Sequence, residues 1–84
     1  MNINYRNTMA VLLMTYGDNI FTRYMAMQLI HPYHPSLIRE YLWGGCKDGY
    51  LIGELELSDV GNYRFTEKGR KKFENEAALM VLAK

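Results

Sequence analysis

The densest cluster of positive charge in the chain suggests contact with phosphate groups. Residues 63–72 hold five basic side chains against one acidic side chain, and four of the five are Lys68, Arg70, Lys71 and Lys72. Because Lys68, Lys71 and Lys72 are three and four residues apart, a helix places them on one face. Such a face either contacts nucleic-acid phosphates or is an ordinary solvated surface, balanced by the neighbouring glutamates.

The segment that precedes this cluster is acidic. Residues 43–62 hold one lysine against four carboxylates, three of which are Glu54, Glu56 and Asp59. Glu54 and Glu56 alternate with leucines, so a strand directs both carboxylates to the same face. That face is expected to repel phosphate. Alternatively, Arg64 pairs with one of the glutamates across a hairpin, which contributes up to about 1 kcal/mol and leaves the segment near neutral.

Histidine and cysteine are too sparse to predict a metal site. His31 and His34 are three residues apart, but prolines at positions 32 and 35 disfavour the regular helix that this spacing needs. Cys46 lies on an apolar stripe and is expected to be a small core residue. The chain has no glycine-rich phosphate-binding motif and no nucleophile elbow. We therefore expect no catalytic residue, no bound metal and no cofactor.

Length and composition are typical of one small folded domain. The chain has 84 residues, a hydrophobic fraction of 49% and a formal net charge of +1, which is weak for a nucleic-acid binder. No apolar run approaches the roughly 20 residues of a membrane span, and the first residues lack the order of a signal peptide. The single cysteine suits a reducing compartment. We predict a single domain over residues 1–84, located in the cytoplasm and away from membranes.

Two helices are predicted in the first third of the chain. Apolar residues recur at helical spacing from Tyr5 to Tyr16, and Gly17 then offers a C-terminal stop. Ile20-Phe21 is predicted as a short extended piece. Thr22 is a good N-cap for a second helix that ends near Ile30.

A third helix and a hairpin are predicted next. Pro35 suits the first position of a helix. Gly44-Gly45 leaves two alternatives, because each glycine inside a helix costs about 1 kcal/mol. Either the helix ends near Trp43, or close packing of the backbone compensates. Alternating residues predict a first strand around 50–57 and a second strand at Tyr63–Phe65, with turn-forming residues between them.

The last predicted helix is capped by Thr66 and runs to about residue 82. Residues 77–83 are apolar on all sides of this helix, which is typical of a buried segment. A chain of this length buries only a small core, so a second copy is a natural cover for the segment. We predict a homodimer, with residues 74–84 as a dimerisation helix end and an interface formed by Tyr5, Met9, Leu79, Met80 and Leu82.

The predicted order α-α-α-β-β-α resembles the winged helix-turn-helix family. Phe21-Thr22 through Leu29 is similar to the helix before the turn of that family. The segment from Ser36 to Leu51 is similar to its recognition helix and the exit into the wing, and Tyr63 through Arg70 is similar to the second wing strand and closing helix. The resemblance covers nearly the whole chain and implies a mainly α domain with a small β-hairpin. Gly45 stands where the family generally has a large apolar residue.

The resemblance implies a transcriptional regulator that binds double-stranded DNA as a homodimer. In the family the third helix enters the major groove, where an arginine such as Arg39 reads guanine. Carried over to this chain, the candidate DNA contacts are Tyr33, His34, Ser36, Arg39, Trp43 and Lys47, joined by Lys68, Lys71 and Lys72.

The alternative is a winged-helix module that binds protein and not DNA. The near-zero net charge, the acidic hairpin and aromatic residues such as Tyr24, Trp43 and Tyr50 favour it. Aromatic side chains are common anchors at protein interfaces. Such a module would be an adaptor or an inhibitor, including one from a virus or a mobile element.

Overall fold

The protein forms a small, mostly helical domain with a three-stranded antiparallel sheet. The structure, a computed structural model, describes residues 4–30, 35–54 and 61–82. In chain order, the elements of these ranges are α1 (Tyr5–Tyr16), β1 (Phe21–Thr22), α2 (Arg23–Leu29), α3 (Pro35–Lys47), β2 (Leu51–Glu54), β3 (Asn62–Phe65) and α4 (Glu67–Leu82). The predicted mainly helical fold class with a small hairpin is confirmed at this level, and a third short strand is added to it.

Polar side chains fix the starts of three helices. The Asn4 side chain accepts a hydrogen bond from the Asn7 backbone N–H at 2.8 Å, and the Thr22 hydroxyl accepts one from the Met25 N–H at 3.1 Å. The Thr66 hydroxyl accepts one from the Gly69 N–H at 3.0 Å. Each bond satisfies a backbone donor that the first helical turn leaves unpaired. The predicted caps at Thr22 and Thr66 are therefore confirmed.

The sheet has the order β1-β3-β2, with both pairs antiparallel. Phe21 lies opposite Tyr63, and Leu51 lies opposite Phe65. Because side chains alternate along a strand, these four residues face the helices. The observed strand β1 begins one residue later than the predicted extended piece at Ile20-Phe21.

Two groups of aromatic rings fill the core between the helices and the sheet. Phe21 is fully buried and its ring lies 5.1 Å from the ring of Tyr16 and 6.0 Å from those of Tyr63 and Phe65. The second group is centred on Phe73 of α4 and joins this helix to α1 and to the start of the hairpin. The core thus connects all layers of the domain.

Helix α3 continues through Gly44-Gly45, which resolves the two alternatives in favour of close packing. A Cβ atom at position 45 would lie 2.7 Å from Met9 Cε and 2.8 Å from Leu51 Cδ1. The missing side chain therefore lets α1 and β2 approach α3 at this point. This contact accounts for the absence of a side chain at position 45.

Thr8 is a buried polar residue with an unsatisfied hydroxyl. Its side chain is 2% exposed, and its Oγ1 has no hydrogen-bond partner within the described ranges. We expect Thr8→Val to raise the free energy of unfolding by about 1 kcal/mol, because valine has the same shape and buries no polar atom. Urea denaturation measures this change.

Thr15→Val in the same helix is the matched control. The Thr15 hydroxyl is exposed and donates to the Val11 carbonyl oxygen at 2.8 Å, so its removal leaves no buried polar atom behind. We expect this variant to match the parent chain within about 0.5 kcal/mol. A Thr8→Val protein that unfolds at lower urea concentration than the parent contradicts the prediction.

Candidate nucleic-acid interface

One face of α3 is exposed to solvent and carries four of the nine candidate DNA contacts. Ile38, Leu42 and Gly45 are buried on the opposite face, where α3 contacts α1 and the sheet. This arrangement follows from the helical spacing of the apolar residues. The exposed face consists of Ser36, Arg39, Glu40, Trp43 and Lys47.

Trp43 and Lys47 form a pair at the C-terminal end of this face. Trp43 is 63% exposed, and Lys47 Nζ lies 5.1 Å from the centroid of its ring. A cation over an aromatic face at this distance is attracted by the ring electrons. The contact holds the lysine along the helix surface and keeps its charge beside the indole.

Arg39 is an exposed residue of α3 whose charge acts on Tyr63 of β3. Burial raises the pKa of the Tyr63 hydroxyl, and the positive charges of Arg23 and Arg39 oppose that rise. Arg39 itself is exposed to solvent. An exposed guanidinium on a helix face has the donor geometry that reads the edge of guanine.

The basic cluster of α4 is divided among different surroundings. Lys68 Nζ donates to the Asp48 carbonyl oxygen at 3.0 Å and lies 5.3 Å from the Tyr50 ring centroid. Lys71 Nζ lies 3.4 Å from Glu67 Oε1, one helical turn away. Lys72 is exposed and forms no ion pair with any described residue. Of the three lysines, Lys68 is thus the one whose amino group connects α4 to the turn after α3.

Arg70 occupies the other flank of α4. It lines a polar recess together with Asp18 and Glu67, near the turn that follows α1. Lys68, by contrast, reaches the turn after α3. Lys68 and Arg70, two residues apart in sequence, therefore contact separate surfaces of the domain.

The candidate dimer residues do not share one surface. Met9 is fully buried within the chain and belongs to the core, so it offers no area to a second copy. Tyr5 is half-buried, and its hydroxyl donates to Asp48 Oδ2 at 3.5 Å. Burial, helped by the charge of Asp48, raises the pKa of Tyr5 to about 12. Leu79 is 64% exposed. The side chains of Met80 and Leu82 lie outside the described part of the structure.

Several other sequence predictions also concern residues beyond the described ranges. Tyr33 and His34 precede α3, and Glu56 and Asp59 belong to the acidic hairpin segment; all four lie outside these ranges. Within the hairpin, Ile52 is the direct partner of Arg64, and Glu54 lies opposite Asn62. The direct partner of Arg64 is therefore an aliphatic residue and not a glutamate.

Cys46 is half-buried and sits close to the sheet. Its Sγ lies 3.1 Å from the position that a Cβ of Gly53 would occupy, and burial raises the pKa of its thiol. A raised pKa disfavours the reactive thiolate. Across residues 4–30, 35–54 and 61–82, no three His, Cys, Asp or Glu side chains are grouped closely enough to hold a metal ion.

Sequence reasoning missed one surface, on the outer face of the sheet. Ile20 and Ile52 are both exposed there, beside Arg64. The alternation of β2 was the available signal, because a buried Leu51 directs Ile52 outwards.

No protein-family model matches the chain, and no curated protein matches it. Among the described helices, none combines the length and apolar character required to cross a membrane. The physical features of the exposed face of α3 are therefore the basis for a functional proposal.

Proposed function

We propose that the protein is a winged helix-turn-helix DNA-binding protein that regulates transcription as a homodimer. The observation that carries the proposal is the exposed face of α3, where Arg39, Trp43 and Lys47 point to solvent from a helix whose other face is buried. In this fold α3 is the recognition helix, and β2 and β3 form the base of the wing. The whole chain, residues 1–84, acts as one domain.

In the proposed complex, α3 enters the major groove. Arg39 donates two hydrogen bonds to guanine, and Trp43 contacts a thymine methyl group. Lys47 and Lys72 neutralise phosphates on either side of the groove, because phosphate contacts position the protein on the duplex. Lys68 contributes mainly by holding α4 against the end of α3, since its amino group already donates to Asp48.

In the proposed dimer, the second copy covers the exposed end of α4. Leu79 is the described residue that supports this arrangement, because its large apolar side chain is mostly exposed. Pairing of two copies places two recognition helices on one duplex, which doubles the base contacts and fixes the spacing of the half-sites.

A protein-binding module remains the second candidate function. The observation that favours it is the pair of exposed isoleucines, Ile20 and Ile52, on the outer face of the sheet. Exposed aliphatic side chains that lie together commonly mark a protein-interaction surface.

Fluorescence anisotropy tests the DNA proposal on a duplex selected by the parent protein from a random pool. We expect Arg39→Ala to weaken binding to the selected duplex by about 10- to 100-fold and to reduce discrimination at one base pair. Lys72→Ala is expected to lower the slope of log affinity against log salt by about 0.9, and to weaken selected and random duplexes alike.

Arg70→Ala is the matched control, because it removes one positive charge from the opposite flank of α4. We expect it to retain the affinity of the parent for the selected duplex. Absence of binding to any duplex at low salt would falsify the proposal. An equal loss of affinity in Arg39→Ala and Arg70→Ala would show that binding depends on general electrostatic attraction.

A further inference from the structure

The outer face of the sheet is a second surface, separate from the exposed face of α3. Leu51, Tyr63 and Phe65 are buried on the inner face, where Cys46 of α3 approaches Gly53. Because neighbouring residues on a strand point to opposite faces, Ile52 and Arg64 belong to the outer face. Both are exposed.

Three outer residues form a row across the strands. Ile52 is the partner of Arg64 in the pairing of β2 with β3. Phe21 is the partner of Tyr63 in the pairing of β1 with β3, and one further step in this antiparallel register places Ile20 beside Arg64. One shallow depression of about 150 Å³ is accordingly lined by Ile20, Arg64 and Ile52, together with Asn62 and Tyr63.

The row combines apolar surface with one exposed positive charge. Ile20 is 61% exposed and Ile52 is 51% exposed, so both keep much of their aliphatic area in water. The guanidinium of Arg64 forms no ion pair with any side chain that the structure describes, and the side chain of Glu54 is not among these. A complementary partner therefore presents a carboxylate between two apolar side chains, which satisfies the arginine and covers both isoleucines.

The spacing of the row fits a helical partner better than an extended peptide. Neighbouring strands are about 4.8 Å apart, so Ile20 and Ile52, on either side of Arg64, are separated by about 10 Å. Two residues seven positions apart on a helix are also about 10 Å apart, and the residue at the fourth position lies between them on the same face. Adjacent apolar residues of an extended peptide face are separated by about 7 Å, which is too short for this row.

We propose that the Ile20–Arg64–Ile52 row binds an acidic amphipathic helix of another protein, with apolar residues at i and i+7 and a carboxylate at i+3 or i+4. The two isoleucines favour protein over nucleic acid at this site, because a phosphate backbone offers no apolar groups to cover them. The site is independent of the DNA contacts, since it lies on the opposite face of the sheet from α3.

A synthetic helical peptide of about 15 residues is the probe, with leucine at i and i+7 and glutamate at i+4. Titration into ¹⁵N-labelled protein is followed by amide chemical shifts. We expect the largest shifts at residues 20, 52 and 62–64. Replacing the peptide glutamate with glutamine is expected to weaken binding about 10-fold, since the charge-assisted hydrogen bond to Arg64 is lost.

Arg64→Gln is expected to weaken binding of the glutamate peptide about 10-fold, and Arg64→Lys is expected to retain part of the affinity. Lys72→Gln is the matched control, because it removes the same charge from α4, and we expect it to bind the peptide like the parent. An absence of binding, equal affinity for the glutamate and glutamine peptides, or shifts centred on α3 would each overturn the proposal. So would an Arg64→Gln variant that loses affinity for a DNA duplex and keeps its affinity for the peptide.

Discussion

The Phe21→Ala variant is expected to lose about 4 kcal/mol of its free energy of unfolding, because a fully buried ring is replaced by a cavity. Phe21 is 0% exposed, and its ring contacts those of Tyr16, Tyr63 and Phe65. The loss combines the transfer of a large apolar side chain into water with the contacts that its three neighbours no longer make. Urea denaturation followed by tryptophan fluorescence measures the change.

This loss is large compared with the total stability of a domain of this size, which is roughly 4–13 kcal/mol. Ile20→Ala is the matched control, since it shortens the adjacent side chain at a mostly exposed position. We expect the control to change the free energy of unfolding by no more than about 0.5 kcal/mol. Similar losses in the two variants would show that Phe21 is not a central core residue.

The Gly69→Ala variant is expected to lose about 3 kcal/mol of its free energy of unfolding, even though alanine is the better helix former. A Cβ atom at position 69 would overlap the Tyr50 carbonyl oxygen and would lie 2.8 Å from the Tyr50 carbonyl carbon. The same oxygen accepts a hydrogen bond from the Thr66 N–H at 3.0 Å. Because the obstructing atoms belong to the backbone, α4 must move away and this hydrogen bond is strained or lost.

Gly44→Ala separates the packing effect from the helix propensity of alanine. The nearest atom to a Cβ at position 44 is Tyr5 Cε1, at 3.8 Å, which is an ordinary contact. This control is expected to raise the free energy of unfolding by about 0.5–1 kcal/mol. If thermal and urea unfolding show that both alanine variants are more stable than the parent, then the close approach at Tyr50 does not constrain α4.

Local signals were sufficient to predict the extent of α1 and the caps of α2 and α4, but they left the end of α3 open. The bounds of α1, Tyr5–Tyr16, are confirmed, as are the caps at Thr22 and Thr66. These features depend on a few consecutive residues, since a cap joins a side chain to a backbone N–H in the next turn.

Features that depend on distant parts of the chain were not predictable in the same way. The sequence around Gly69 gives no signal of its role, because that role depends on the close approach of Tyr50. Met9 was placed at a dimer interface, although packing within the chain buries it completely. An apolar stripe shows that a face is covered but not which element covers it. Lys68 was grouped with Lys71 and Lys72 by its helical spacing. Its contact with Asp48 could not be predicted, because Asp48 is 20 residues away in the sequence.

The packing of α1 against α4 has a consequence for synthesis on the ribosome. These two helices make extensive contact, and every other described element lies between them in the chain. During translation α1 emerges before α4, and until α4 follows, nothing from that helix covers the apolar side chains of α1. Since domains fold as units, we infer that the nascent protein gains its native core only after α4 has left the exit tunnel.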